Sequence, residues 1–162
     1  MTVRPSVLVM VLSVWTGVAG ADGIKPPPMK EGLWETHSTH MDQNKSVSDS
    51  TVRMCQSKAT TQSSQADAEK LRKENQCVSN TAQPTSNSYV EETHCAKGPN
   101  PGSVTRIIYT HQGDTSSHTE VHLNVGKSES VMIMDAKYVG SCPTGMKPGD
   151  LMMNGKIIPG GN

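Results

Sequence analysis

Short runs of apolar and β-branched residues separated by turn residues predict strands joined by tight turns along most of the chain past residue 29, with the clearest period-two alternation in Thr115–Val125. From Gly32 to Met41, the residues Leu33, Glu35, His37, Thr39 and Met41 fall on one side of a strand. Trp34, Thr36, Ser38 and His40 fall on the other. Neither side is apolar throughout, so the expected core contact is the Leu33-Trp34 end. Asp42-Gln43-Asn44-Lys45 is a polar turn, and Ser46–Cys55 reads as the second strand. Cys77–Ala82 and Ser88–Cys95 flank the turn residues Pro84-Thr85-Ser86-Asn87. Ser103–Gln112 and Thr115–Val125 flank Gly113-Asp114, where a leading glycine suits a two-residue type II′ turn. That turn would set Tyr109 opposite His118, as a pair on the solvent face. In the second arm Val121, Leu123 and Val125 point inward, and His118, Glu120, His122 and Asn124 point outward. Gly126-Lys127 turns the chain again. Ser130–Tyr138 is apolar on both faces (Val131 and Ile133 against Met132 and Met134), which predicts a position in the middle of the sheet.

One segment breaks the pattern. In Thr60–Asn75, Ser64 to Asp67 fits a weak capping pattern and Glu69 stands four residues before Lys73. A single surface helix is predicted over Gln65–Glu74, anchored by Leu71. After Cys142 the chain is rich in proline and glycine, and Asn154-Gly155 between Leu151–Met153 and Lys156–Ile158 signals a local hairpin.

The beginning of the chain reads as an address, not as structure. Arg4, the apolar run Val7–Trp15 and the small residues Ala19-Gly20-Ala21 form a cleavable signal peptide over residues 1–21. Residues 22–29, with Pro26-Pro27-Pro28, form a proline-rich leader with polyproline II character. The expected organisation continues as a single β-rich domain over 30–142 and a Pro/Gly-rich tail over 143–162. The apolar run is too short to cross a bilayer comfortably and no later stretch is longer, so no transmembrane span is expected. A protein soluble outside the cytoplasm is expected.

Composition narrows the possibilities. Lys and Arg (15) balance Asp and Glu (15), and no basic stripe exists, so no nucleic-acid partner is expected. The chain has no phenylalanine, and past the leader its aromatics are Trp34, Tyr89, Tyr109 and Tyr138. A small aliphatic core needs further support, which four cysteines in an exported chain can supply. Four cysteines allow three pairings. If the strands around Pro84–Asn87 pair as an antiparallel hairpin, Cys77 faces Cys95 within disulfide reach. Cys55 is then left for Cys142.

Candidate chemistry is sparse. His37 and His40 lie close in sequence and the chain holds ten methionines, a donor set that would suit copper. On a strand, however, His37 and His40 point to opposite faces, and His118 and His122 stand about 13 Å apart. Neither a metal site nor a cofactor is therefore expected, and the methionines read as core filling. No G-x-S-x-G, H-E-x-x-H, S-x-x-K or phosphate loop is present. Glu91 and Glu92 are adjacent, so on a strand they face opposite ways and cannot work as an acid/base pair.

Taken in order, Met29-Lys30-Glu31-Gly32-Leu33-Trp34-Glu35, Met54-Cys55, Asn75-Gln76-Cys77, His94-Cys95 and Lys137-Tyr138-Val139-Gly140-Ser141-Cys142 resemble the bacterial domain-of-unknown-function family 3617 (DUF3617). Its members are exported and open on a G-x-W-E strand, often with proline where this chain has Glu31. The resemblance implies a Gram-negative periplasmic location and a β-rich fold, and it transfers no catalytic residues. Gly32-Leu33-Trp34 is also similar to the G-x-W that opens lipocalin-like barrels, which keeps a calyx open as an alternative. The expected fold is mainly β: an antiparallel meander forming a curved sheet or partly open barrel, with one surface helix and two disulfides. Gly32 and Trp34 are its structural residues. The expected function is non-catalytic binding of a small apolar ligand or an envelope protein. An enzyme with a site assembled from distant residues and a periplasmic copper-binding protein are the alternatives.

Overall fold

The computed structural model describes residues 29–42 and 45–160. The signal peptide, all of the leader except Met29, and Gln43 and Asn44 of the first turn lie outside the described residues. Among the described residues nine strands and one helix follow one another: β1 (Gly32–Asp42), β2 (Lys45–Gln56), α1 (Lys58–Glu74), β3 (Cys77–Thr85), β4 (Ser88–Cys95), β5 (Ser103–Gln112), β6 (Ser116–Val125), β7 (Ser128–Gly140), β8 (Leu151–Met153) and β9 (Lys156–Ile158). All strand pairs are antiparallel, in one open sheet of order β3-β4-β5-β6-β7-β1-β2-β8-β9. The sheet ends at β3 and β9 and is not a closed calyx. β7 takes the central position that its two apolar faces predicted. β3 to β7 form a continuous meander, and α1 carries the chain from β2 to the far edge where that meander starts.

Both expected disulfides are present. Cys77 sits directly opposite Cys95 in the β3–β4 register, and Cys55 joins Cys142 across 87 residues of sequence. Pro84 falls at the break in the β3–β4 register, on an edge strand, where a missing N–H costs no ladder bond. The Asn154-Gly155 hairpin forms with both residues at positive φ (50° and 75°), and it adds β8 and β9 to the sheet beside β2.

Two expectations need correction. The helix runs over Lys58–Glu74, one side longer than Gln65–Glu74. Its N-terminus is made by Ser57 and Thr60, which cap each other's backbone N–H reciprocally. Leu71 does not anchor it, being 51% exposed. The anchor is Arg72, whose guanidinium meets Glu91 on β4. The second correction concerns the β5–β6 loop, which holds three residues because Gln112 pairs with Ser116. Thr110, not Tyr109, therefore stands opposite His118. Tyr109 is buried on the other face, stacked on Tyr89 at 5.0 Å between ring centroids.

Leu33 and Trp34 are both buried, on opposite faces. Leu33 packs with Cys55 and Met146, joined by Cys142 and Met152, where the segment after β7 folds back over the sheet. The Trp34 ring stands edge-on to Tyr138, its Nε1–H donates to the Lys30 carbonyl, and the Lys30 ammonium lies 4.4 Å from the Tyr138 ring centroid. Gly32 shares this knot. A Cβ on it would lie 2.5 Å from the Gly140 carbonyl oxygen and 2.7 Å from Tyr138, and its φ is 138°. Only glycine fits there.

Candidate functional site

The face of the sheet that carries Glu35 bears ordered rows of polar side chains, because cross-strand register stacks like positions side by side. One row runs Thr110, His118, Asp135, His37 and Thr51 across β5, β6, β7, β1 and β2. The neighbouring row runs Gln112, Ser116, Lys137, Glu35 and Arg53 across the same five strands. Their β5, β6, β7 and β1 members line a depression of about 360 Å³.

Its charges are paired within the sheet. Glu35 accepts from Lys137 at 2.9 Å and from Arg53 at 2.8 Å. Those two cations, Lys137 foremost, hold the Glu35 carboxyl below its ordinary value. His37 reaches Thr51 through Nδ1 (3.1 Å) and Asp49 through Nε2 (3.3 Å). His118 meets Asp135 through Nδ1 at 2.7 Å and Glu120 through Nε2 at 3.2 Å. The bond to Asp135 raises the His118 pKa, against a smaller opposing effect of burial. Glu120 is held low by the imidazoles of His118 and His122 that hydrogen-bond it, His118 first.

The opposite face carries a second charged contact. Glu91 is fully buried, its two oxygens 3.0 and 3.1 Å from the Arg72 guanidinium, with the Thr93 hydroxyl donating at 3.3 Å. Burial raises the pKa of both Tyr89 and Tyr109, and the Ser117 hydroxyl partly offsets this at Tyr109. Glu92 points the other way, to His94 at 2.9 Å, as adjacent strand positions must.

His37 and His40 do lie on opposite faces, and His118 and His122 lie on one. Among the described residues no three His, Cys, Asp or Glu side chains converge into a group that could hold a metal ion. The pairing of His118 with Asp135 and of Lys137 with Glu35 was not drawn from sequence. A signal for the first existed: a two-residue turn at Gly126-Lys127 places Asp135 across from His118, and β6 and β7 pair in that register.

The family described as a protein of unknown function (DUF3617) matches residues 29–142, and the chain belongs to it. Comparison with curated proteins and with solved structures gave no match. Among the described residues, no helix is long and apolar enough to cross a membrane.

Proposed function

We propose that this member of the DUF3617 family is an exported, periplasmic, non-catalytic domain that binds an envelope partner through the depression lined by Glu35, His37, His118 and Lys137. The observation that carries this reading is the occupancy of His118. Asp135 at Nδ1 would orient the ring as a base, but Nε2, where a nucleophile's hydroxyl would have to stand, faces Glu120 instead. The side chains of the depression thus form a prearranged recognition surface of mixed charge, suited to a polar protein surface more than to an apolar small molecule. The amino-terminal address supports export, and two disulfides are compatible with an oxidising compartment.

The test is a photo-reactive side chain in place of Gln112, compared with one in place of Lys70 on α1, both irradiated in the periplasm. The reading requires an adduct of discrete mass at position 112 that is absent at position 70. Thr110→Trp, which fills the depression, should abolish it without changing the circular dichroism. Equal adducts at both positions would remove the depression from consideration. Ester, phosphate or glycoside turnover lost on His118→Ala would replace binding with catalysis. Native mass spectrometry separates the remaining case, since a small bound mass released on denaturation would make the partner a small ligand.

A further inference from the structure

Beyond the depression, His118 belongs to an unbroken row of five ionisable side chains on β6 and β7. Asp135 Oδ1 lies 2.7 Å from His118 Nδ1, and His118 Nε2 lies 3.2 Å from Glu120 Oε1. The other oxygen of that carboxylate, Glu120 Oε2, lies 3.4 Å from His122 Nε2, and His122 Nδ1 lies 3.2 Å from Glu129 Oε1. Carboxylates and imidazoles alternate, and every nitrogen of both rings faces a carboxylate oxygen.

This geometry sets a proton requirement. A neutral imidazole has one N–H and one lone pair, so between two ionised carboxylates it can donate to only one of them and turns its lone pair to the other. An imidazolium donates to both. The row closes completely only with two N–H groups on each ring. We propose that Asp135–His118–Glu120–His122–Glu129 is a proton-loaded switch: charged on both rings it ties β6 to β7, and on losing those protons it opens into three mutually repelling carboxylates.

Few other charged groups face the row. Across β5, His118 faces Thr110, Glu120 faces Ile108 and His122 faces Arg106, the one cation opposed to the row from that strand. Beyond Arg106 on β4 stand Glu92 and His94. On β7, Ile133 and Val131 lie between Asp135 and Glu129, and Lys137, one rung beyond Asp135, is committed to Glu35 on β1. His37 lies across β1 from Asp135 and is turned to Thr51 and Asp49. The imidazoles that hydrogen-bond Glu120, His118 first, hold its carboxyl below the ordinary value. Because His118 and Asp135 also line the depression, opening the row would remove the imidazolium charge from its rim and leave Asp135 unpaired there. That last consequence rests on the binding role proposed above, whereas the switch does not.

Imidazole-resolved NMR of the full oxidised chain across neutral and alkaline pH, without any partner, tests the switch. His118 should titrate above the ordinary histidine range. Glu120→Gln, which keeps the shape but removes the central charge, should shift the His118 midpoint down. A His118 midpoint inside the ordinary range, or one unmoved by Glu120→Gln, would overturn the proposal. A folded control is built in, since the Cys77–Cys95 hairpin and the Trp34–Tyr138 contact lie outside the row and their signals should be unchanged. Failure of the crosslinking experiment above would leave this result intact, so the two readings fail separately.

Discussion

Arg72 of α1 reaches both carboxylate oxygens of Glu91, at 3.0 and 3.1 Å, and Glu91 is fully buried in β4. The helix has no buried residue of its own. One ion pair, with a single guanidinium nitrogen (Nη2) reaching both oxygens, therefore fastens it where an apolar stripe would normally do so. Removing one partner leaves a buried charge alone, which costs about 3–5 kcal/mol. Arg72→Met should lower stability by that order in urea unfolding and raise hydrogen exchange along Lys58–Glu74. Arg72→Met with Glu91→Leu should recover most of the loss. Leu71→Ser on the same turn should change stability by less than about 0.5 kcal/mol, as an exposed position does.

Gly32→Ala should destabilise the protein by about 2 kcal/mol or more. The added carbon meets the Gly140 carbonyl and the Tyr138 ring at a φ that alanine disfavours. Gly113→Ala provides the comparison. It shares a positive φ of 61° but has open space around it, so its cost is limited to backbone strain of about 1–2 kcal/mol. Equal melting-temperature losses for the two would contradict the packing account of Gly32.

The two disulfides close loops of different length, with separations of 18 and 87 residues. Chain entropy assigns roughly 3 kcal/mol to Cys77–Cys95 and roughly 4.5 kcal/mol to Cys55–Cys142. The Cys55→Ser/Cys142→Ser variant should accordingly unfold at lower urea than Cys77→Ser/Cys95→Ser. It also loses the clamp that holds Met146 over Leu33.

Stability should form a plateau bounded by two different kinds of group. Glu35 and Glu120 have folded pKa values below their unfolded ones. Their contribution is present above the ordinary glutamate range and is lost as pH falls through the folded values. His118 is raised in the folded state by Asp135. Its contribution is complete below the ordinary histidine value and is lost as pH rises through the folded one. Urea midpoints measured against pH should decline on both sides. His118→Gln should flatten the alkaline decline and Glu35→Gln the acid one, and an alkaline limb unchanged in His118→Gln would reject the assignment.

Much of the fold is legible because strands and hairpins carry their signals locally. Period-two alternation marks β6, Asn154-Gly155 supplies the two positive φ values that its turn needs, and Cys77 and Cys95 flank a short turn at matching distances. Weak local signals hide the remaining features. The first turns of α1 are Thr, Ser and Gln, with no apolar stripe to mark them, and the cap uses Thr60 in place of the expected acid or amide. One additional residue in the β5–β6 loop moved Tyr109 from the solvent face to the buried one, because a strand's side chains change sides at every step.

Most strands and turns are readable from sequence, since each depends on neighbours a few positions apart, and the short Cys77–Cys95 hairpin is readable in the same way. Which distant charges meet depends on tertiary structure. His118 and Asp135 are 17 residues apart, Arg72 and Glu91 19, and Arg53 and Glu35 18. Those contacts depend on the register of whole hairpins and on a helix crossing to the far edge of the sheet. A single residue more or less in one loop would shift an entire row, and the row of imidazoles and carboxylates exists only because every register around it holds.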